Sequence, residues 1–588
     1  MRRTMRRETT RRRPKTSGTK VAEAHMPKMR IQGKRIERRG AQAGSRWRRG
    51  AAAALFLLSM VMLGGCLWNP EARSSGEADR FAQDGRPASE SAVPVRGGVI
   101  RVLTAEPIEA DPLGLSAKAV RPSPYWALAY RGLFRYDERG RWVGDLAQDV
   151  RVERGADGAV TVRFRLDGAR WSDGQPITDL DVRRTLALYL SPFYTGVFRD
   201  HLSALDGASA YRSGKGEDVL GVVTDGDWIV LRATHPTALF FRALTAPLFP
   251  HAAVPKIARR ADVEALAERI RAGEVPVSGA YRVVVAAEGR LELERASTKA
   301  GDAAYADALE FTFGTLGPDD GHAGHEAPVA AYDVVISLKK PALPNDFRLM
   351  RVPLPYALYL AADVTRIPDD VRRKLATIDR RPLVAAIEAG EFAARPETGY
   401  FPPGHALMEQ SDGANAPKGA DSRLALGDLA YDRDQPYAAL LAPALADVLG
   451  TSGYAVSEKP LPHEAFYAET MSGHGAPLFL WPLADVSEPG EWWRYLGKAH
   501  TIARLGLNVM HYADDAVDRA LKAAYEAIPG EIDAPALREA FRSVAEAAPL
   551  IPLLRPEAYV AVAPGMHGVE MVRLGERLNA EQWWKAAP

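Results

Sequence analysis

Residues that could do chemistry are sparse in this chain of 588 residues. Two imidazoles and a carboxylate fall within five positions at His322, His325 and Glu326, a donor set that would suit zinc, nickel or copper. The Gly and Ala residues around them enforce no geometry, so the segment reads as a solvated loop and no metal is expected there. His463-Glu464-Ala465-Phe466-Tyr467 lacks the second histidine of a zinc-protease helix. No Gly-x-Ser-x-Gly elbow occurs, and Gly214-Lys215 is followed by Gly216, not by the Ser or Thr of a phosphate-binding loop. Cys66 is the only cysteine, which excludes an intramolecular disulfide and a cysteine zinc site. The expectation is a protein that is not an enzyme and needs no cofactor; a secreted hydrolase is the weaker alternative.

Cys66 stands at an informative place. Fifteen apolar or small residues, Ala51 to Gly65, run into it from an arginine cluster. A charged flank, a short apolar core and small residues before a cut site describe a secretory signal, and the core is short for a membrane span. Leu63-Gly64-Gly65-Cys66 resembles the lipobox of bacterial lipoproteins. That resemblance implies removal of 1–65, lipidation of Cys66, and a mature protein held on the outward face of the cell membrane. It also occupies the one thiol. Residues 1–45 are arginine-rich without apolar periodicity, and Met26 or Met29 would serve as starts.

The leader distorts the charge balance. Residues 1–65 hold 18 Lys and Arg against 3 Asp and Glu, whereas 66–588 hold 58 against 71, a balance of −13. An acidic mature chain is a poor ligand for phosphate backbones, so no nucleic-acid partner is expected. Residues 67–96, rich in Ser, Glu, Ala, Pro and Gly, read as a tether reaching on the order of 30 Å.

Strands and helices then alternate without repeats, which predicts a mixed α/β class. Gly97–Leu103 alternates as a strand, and Val160–Leu166 follows a turn at Gly155–Gly158. Val219–Ala233 is strand-like, with a turn at Asp225-Gly226-Asp227. Helices are expected over Asp179–Leu190 with Thr178 as cap, over Arg380–Ala389 with Asp379 as cap and Pro382 in the first turn, and over Asp515–Ala527. Residues 396–422 read as a loop.

Several segments in order carry a resemblance. They are Gly97-Gly98-Val99-Ile100-Arg101-Val102, Arg131-Gly132-Leu133-Phe134, Arg170-Trp171-Ser172-Asp173-Gly174, Ser278-Gly279-Ala280-Tyr281, Ile378-Asp379-Arg380 and Ala547-Ala548-Pro549-Leu550-Ile551-Pro552-Leu553. Together they resemble the extracytoplasmic solute-binding proteins of peptide and nickel ABC transporters (family 5) over roughly 97–565. The resemblance implies a two-lobed α/β clamshell with an extra domain, of the class II peptide-binding type. Lobe I would comprise 97–132, 266–345 and 557–588, the extra domain 133–265, and lobe II 346–556. It further implies a monomer that captures peptides between its lobes and delivers them to the transmembrane subunits of a permease. A nickel chelate or a sugar is the alternative ligand, and signalling to a surface partner the alternative output.

Binding residues follow from the same likeness. Asp485, in Trp481-Pro482-Leu483-Ala484-Asp485, resembles the aspartate that receives the ligand's terminal ammonium. Burying an ammonium independently requires a carboxylate partner. Three residues separate Trp481 from Asp485 where the pattern has two, which displaces Asp485 if Trp481 keeps its place. Trp481 would wall the cleft. Phe193 and Tyr194 resemble a segment with an aromatic near the ligand, while Trp171 reads as structural.

Overall fold

The computed structural model describes residues 93–105, 112–114, 124–137, 141–196, 198–216, 219, 221–287, 289–314, 329–401, 407, 424–485, 489–500, 506–571 and 578–586. The leader, Cys66, the His322–Glu326 segment and most of the 396–422 loop lie outside the described residues.

Apolar alternation sets the first half. β1 (Val99–Thr104) is followed by the short pair β2 (Phe134–Tyr136) and β3 (Trp142–Gly144). A four-stranded antiparallel sheet comes next, from β4 (Ala147–Arg154), β5 (Val160–Leu166), β6 (Val222–Asp225) and β7 (Trp228–Ala233), in the order β4-β5-β7-β6. Val160, Val162 and Phe164 point alternately inward from β5 and are fully buried. The β6–β7 turn needs Gly226, whose φ is +61°, at the expected position.

The helix Asp179–Leu190 begins at Thr178 as expected. The Thr178 amide donates to Asp181 Oδ2 at 2.6 Å, one half of a capping box. Trp171 Nε1 donates to the same oxygen at 3.4 Å, so this buried tryptophan braces the turn before the helix. Helix 381–389 starts at Arg381 with Arg380 as its cap residue, and the Asp379 carboxylate accepts the Arg381 amide at 2.9 Å. The helix expected to run to Ala527 ends at Tyr525, and Asp514 caps its start by accepting two backbone amides.

The second architecture is a twelve-stranded mixed sheet. Its strands are β1, β8 (Tyr281–Ala287), β9 (Arg290–Arg295), β10 (Ala308–Phe313), β11 (Val334–Ser337), β12 (Arg348–Pro353), β13 (Tyr356–Ala362), β14 (Ala393–Pro396), β15 (Leu424–Asp432), β16 (Tyr454–Leu461), β17 (Leu478–Ala484) and β18 (Leu550–Val562). The main order is β16-β15-β17-β13-β18-β11-β1-β10-β9-β8, with β12 and β14 also paired to β18. β18 therefore spans the sheet's two halves. Leu550–Leu554 pairs with β13, Leu554–Glu557 with β14, and Glu557–Val562 with β12. All 13 of its residues are buried, which explains its unbroken apolar run.

Two large cores and a small third one, around Leu103, Val335 and Ala561, flank this region among the described residues. On β13, Leu358, Leu360 and Ala362 join the larger core, and Ala357, Tyr359 and Ala361 join a smaller one with Trp481, Trp492 and Phe541. One buried ion pair ties the 238–243 helix to the 489–492 turn: Arg242 Nη1 lies 3.0 Å from Glu491 Oε1.

Candidate ligand-binding site

Charged residues inside an apolar strand must be paired, because desolvating an isolated charge is strongly unfavourable. β18 carries two such residues, Arg555 and Glu557, and a charged cluster grows around the first. Arg555 is 0% exposed. Its Nε lies 2.6 Å from Glu397 Oε2 and its Nη1 2.6 Å from Asp485 Oδ1. Nη1 also donates to the Leu354 carbonyl at 3.4 Å. The three partners come from three connections: the exit of β17, the exit of β14, and the link between β12 and β13. The Asp485 amide donates to the Pro355 carbonyl at 2.8 Å, which pins the aspartate to the same link.

Arg395, opposite Arg555 in the β14–β18 pair, brings a second guanidinium near the two carboxylates of the Asp485–Arg555–Glu397 trio. Burial opposes the charge on Arg555, but Asp485 and Glu397 outweigh it and raise its pKa. Burial, and then Glu397, pushes the Tyr359 phenol well up. Burial also lifts the Glu557 carboxyl above its ordinary range, with Arg395 and Arg351 pulling the other way. Such an enclosed cluster interacts strongly with any charge brought beside it.

The expected ligand residues divide between two places. Trp481 lies in β17 and Asp485 directly follows the strand's last residue, Ala484. Trp481 is 4% exposed and packs against Phe479 and Tyr495, with ring centroids 5.7 and 5.8 Å away. Phe193 and Tyr194 follow the 179–190 helix. Tyr194 is fully buried in the larger core, its hydroxyl donating to the Leu113 carbonyl at 2.9 Å, whereas Phe193 is 36% exposed. Arg555, Glu397 and Arg395 were not singled out from sequence. Arg555 had a usable signal: an arginine inside Leu550–Val562, where every neighbour is apolar, proline or Glu557.

No protein-family profile matches the chain, and no curated protein matches it by sequence. Solved structures do match. The unliganded open form of the periplasmic murein tripeptide-binding protein MppA aligns over 84% of this chain and 97% of its own, at TM-score 0.65 and 19% identity. The oligopeptide-binding protein AppA from Bacillus subtilis, in complex with a nonapeptide, covers 84% and 100% at TM-score 0.57 and 17% identity. NikZ from Campylobacter jejuni, in complex with Ni(L-His), covers 83% and 99% at 0.58 and 15%. The chain has the two-lobed fold of peptide-type ABC substrate-binding proteins. This mixed α/β fold is the expected one, and the matched proteins are binding proteins. Among the described residues, no helix is long and apolar enough to cross a membrane, and no group of three or more His, Cys, Asp or Glu could hold a metal ion.

Proposed function

We propose that the protein is a solute receptor of an ABC importer that captures peptides in a cleft between its lobes. The observation that carries this reading is the buried Asp485–Arg555–Glu397 trio in a fold shared with peptide-binding proteins. A peptide's terminal ammonium would be received by the Asp485 carboxylate. Pairing of peptide backbone to protein backbone would tolerate many side chains, so specificity would be broad. Closure about a hinge would present the bound form to a permease.

The remaining assignments belong to the same reading. Residues 1–65 are the leader, Cys66 carries the lipid, and 66–96 tether an outward-facing monomer to the membrane. Lobe I is 97–132 with 266–345 and 557–588, the extra domain is 133–265, and lobe II is 346–556. The last boundary falls inside β18, so that strand and the β12–β13 link would carry the hinge. Trp481 supports the cleft wall through its packing, and Phe193 is more accessible than Tyr194.

Thermal unfolding of protein stripped of carried-over ligand tests the reading. It should be scanned against free-amine peptides of about two to five residues, their acetylated forms and nickel chelates. Ligand at about a hundred times its dissociation constant stabilises by about 2.7 kcal/mol, a visible shift in midpoint. Free-amine peptides should produce it. A shift with chelates alone would move the ligand to the nickel class, to which NikZ is the structural pointer.

A further inference from the structure

Two arginines of the 133–265 stretch reach the 489–531 segment, far along the chain. Arg242, in the 238–243 helix, lies 3.0 Å from Glu491 in the 489–492 turn. Arg154, the last residue of β4, lies 3.2 Å from Glu531 and donates to the Glu526 carbonyl at 2.8 Å. The far side of this contact is tightly packed. A Cβ on Gly490 would come within 2.4 Å of the Tyr525 Cα, so the turn bearing Glu491 rests directly on the 515–525 helix. The two ion pairs differ in weight. Arg154 and Glu531 are part-exposed, and such pairs contribute little. Arg242 and Glu491 are 5% and 0% exposed. A buried pair stands near balance between attraction and lost hydration, whereas removing one partner strands the other. Glu491 Oε2 is also enclosed without a hydrogen-bond partner, so the contact is incompletely satisfied and hydration on opening would relieve it.

We propose that the Arg242–Glu491 pair is a latch that holds the extra domain against lobe II when the cleft is closed and parts when it opens. This rests on the receptor reading and its domain boundaries, and it gives the extra domain a part in closure. By those boundaries 133–265 moves with lobe I, so the pair bridges the cleft. A hinge in β18 and the β12–β13 link cannot open without parting it. The latch touches no solute. Its strength sets the closed population, and a solute that binds the closed form gains or loses affinity by that fraction whatever its side chains.

Hydrogen exchange and calorimetric titration of the ligand-stripped protein test the latch, with Ala-Ala-Ala, Lys-Ala-Ala and Glu-Ala-Ala as probes. Glu491→Gln leaves Arg242 without its counter-ion when the cleft is closed, which favours the open form. Without peptide, the 238–243 and 489–496 segments should lose exchange protection together. All three peptides should lose affinity by one common factor, about 10- to 100-fold. Arg242→Met combined with Glu491→Met removes both buried charges and should restore protection and affinity to within about threefold of the original. That recovery separates a broken latch from a damaged fold. Unchanged protection and affinity in Glu491→Gln overturn the latch. So does a loss graded by peptide charge, which would put Glu491 in contact with the solute, and so does a double variant as weak as Glu491→Gln. Failure of the unaltered protein to bind any of the three peptides overturns the peptide reading, and the exchange of the two segments then decides the latch by itself.

Discussion

At the scale of single residues, Asp485 has a double role to reconcile. It is the proposed ammonium acceptor, and it already holds Arg555 at 2.6 Å. The trio bears on this, because Glu397 also pairs with Arg555. Asp485→Ala should consequently fold, with Arg555 still paired. Titration of free-amine peptides against their acetylated forms should then show a loss of about 10- to 100-fold for the free amines and little change for the acetylated ones. Equal losses for both would remove the ammonium role. Trp481 belongs to a different argument. It is 4% exposed among aromatic neighbours, so its contribution is to hold the β17 exit in place, and truncation there would cost about 3–5 kcal/mol of stability.

At the scale of elements, the contacts between distant segments decide most. The helix 198–201 ends on His201, which faces Arg242 of the 238–243 helix and Arg494 of the 493–496 helix. Burial, then those two guanidinium groups, hold the His201 pKa down to about 3, with Asp200 pulling the other way. The unfolded chain, titrating near 6.5, binds the proton more readily between those values. Stability from this group is present above about 6.5 and is lost as pH falls toward 3, by at most about 1.4 kcal/mol per unit. Denaturant unfolding between pH 4 and 7 should show that slope, and His201→Gln should flatten it. An unchanged slope in the variant would assign the acid sensitivity to other groups.

Helix and strand positions were largely readable in the chain. Val160–Leu166 alternates, and Thr178 with Asp181 announces a helix start; both elements have the expected limits. Gly279 sits where a Cβ would come within 2.2 Å of the Leu128 carbonyl oxygen, so its place before β8 reflects a close backbone approach. The C-terminal strand was only partly readable. Ala547–Leu553 was recognised, but β18 continues to Val562 because its second half pairs with β12 and β11, a tertiary matter.

At the scale of the whole molecule, the fold matches proteins that align over 97% or more of their own length, yet with identity under 20%. A fold persists while side chains change, so fold and ligand must be argued separately. The proposed anchor is likewise separate from the clamshell. Replacing Cys66 with Ala should release the protein from membranes on fractionation. Continued membrane association would show that the 51–65 segment itself holds the chain in the bilayer.

The sequence by itself determined the α/β class, the order of the main elements and the acidic balance of the chain beyond residue 65, because periodicity, caps and composition are local or additive properties; Asp485 became a candidate through the resemblance of its segment to a known family. Only the tertiary structure decided what surrounds Asp485. Arg555 lies 70 residues from it and 158 from Glu397, and Arg395 meets Arg555 only through the β14–β18 register. Charge compensation in a buried cluster depends on distances of a few ångströms between segments far apart in the chain, and no local pattern encodes them.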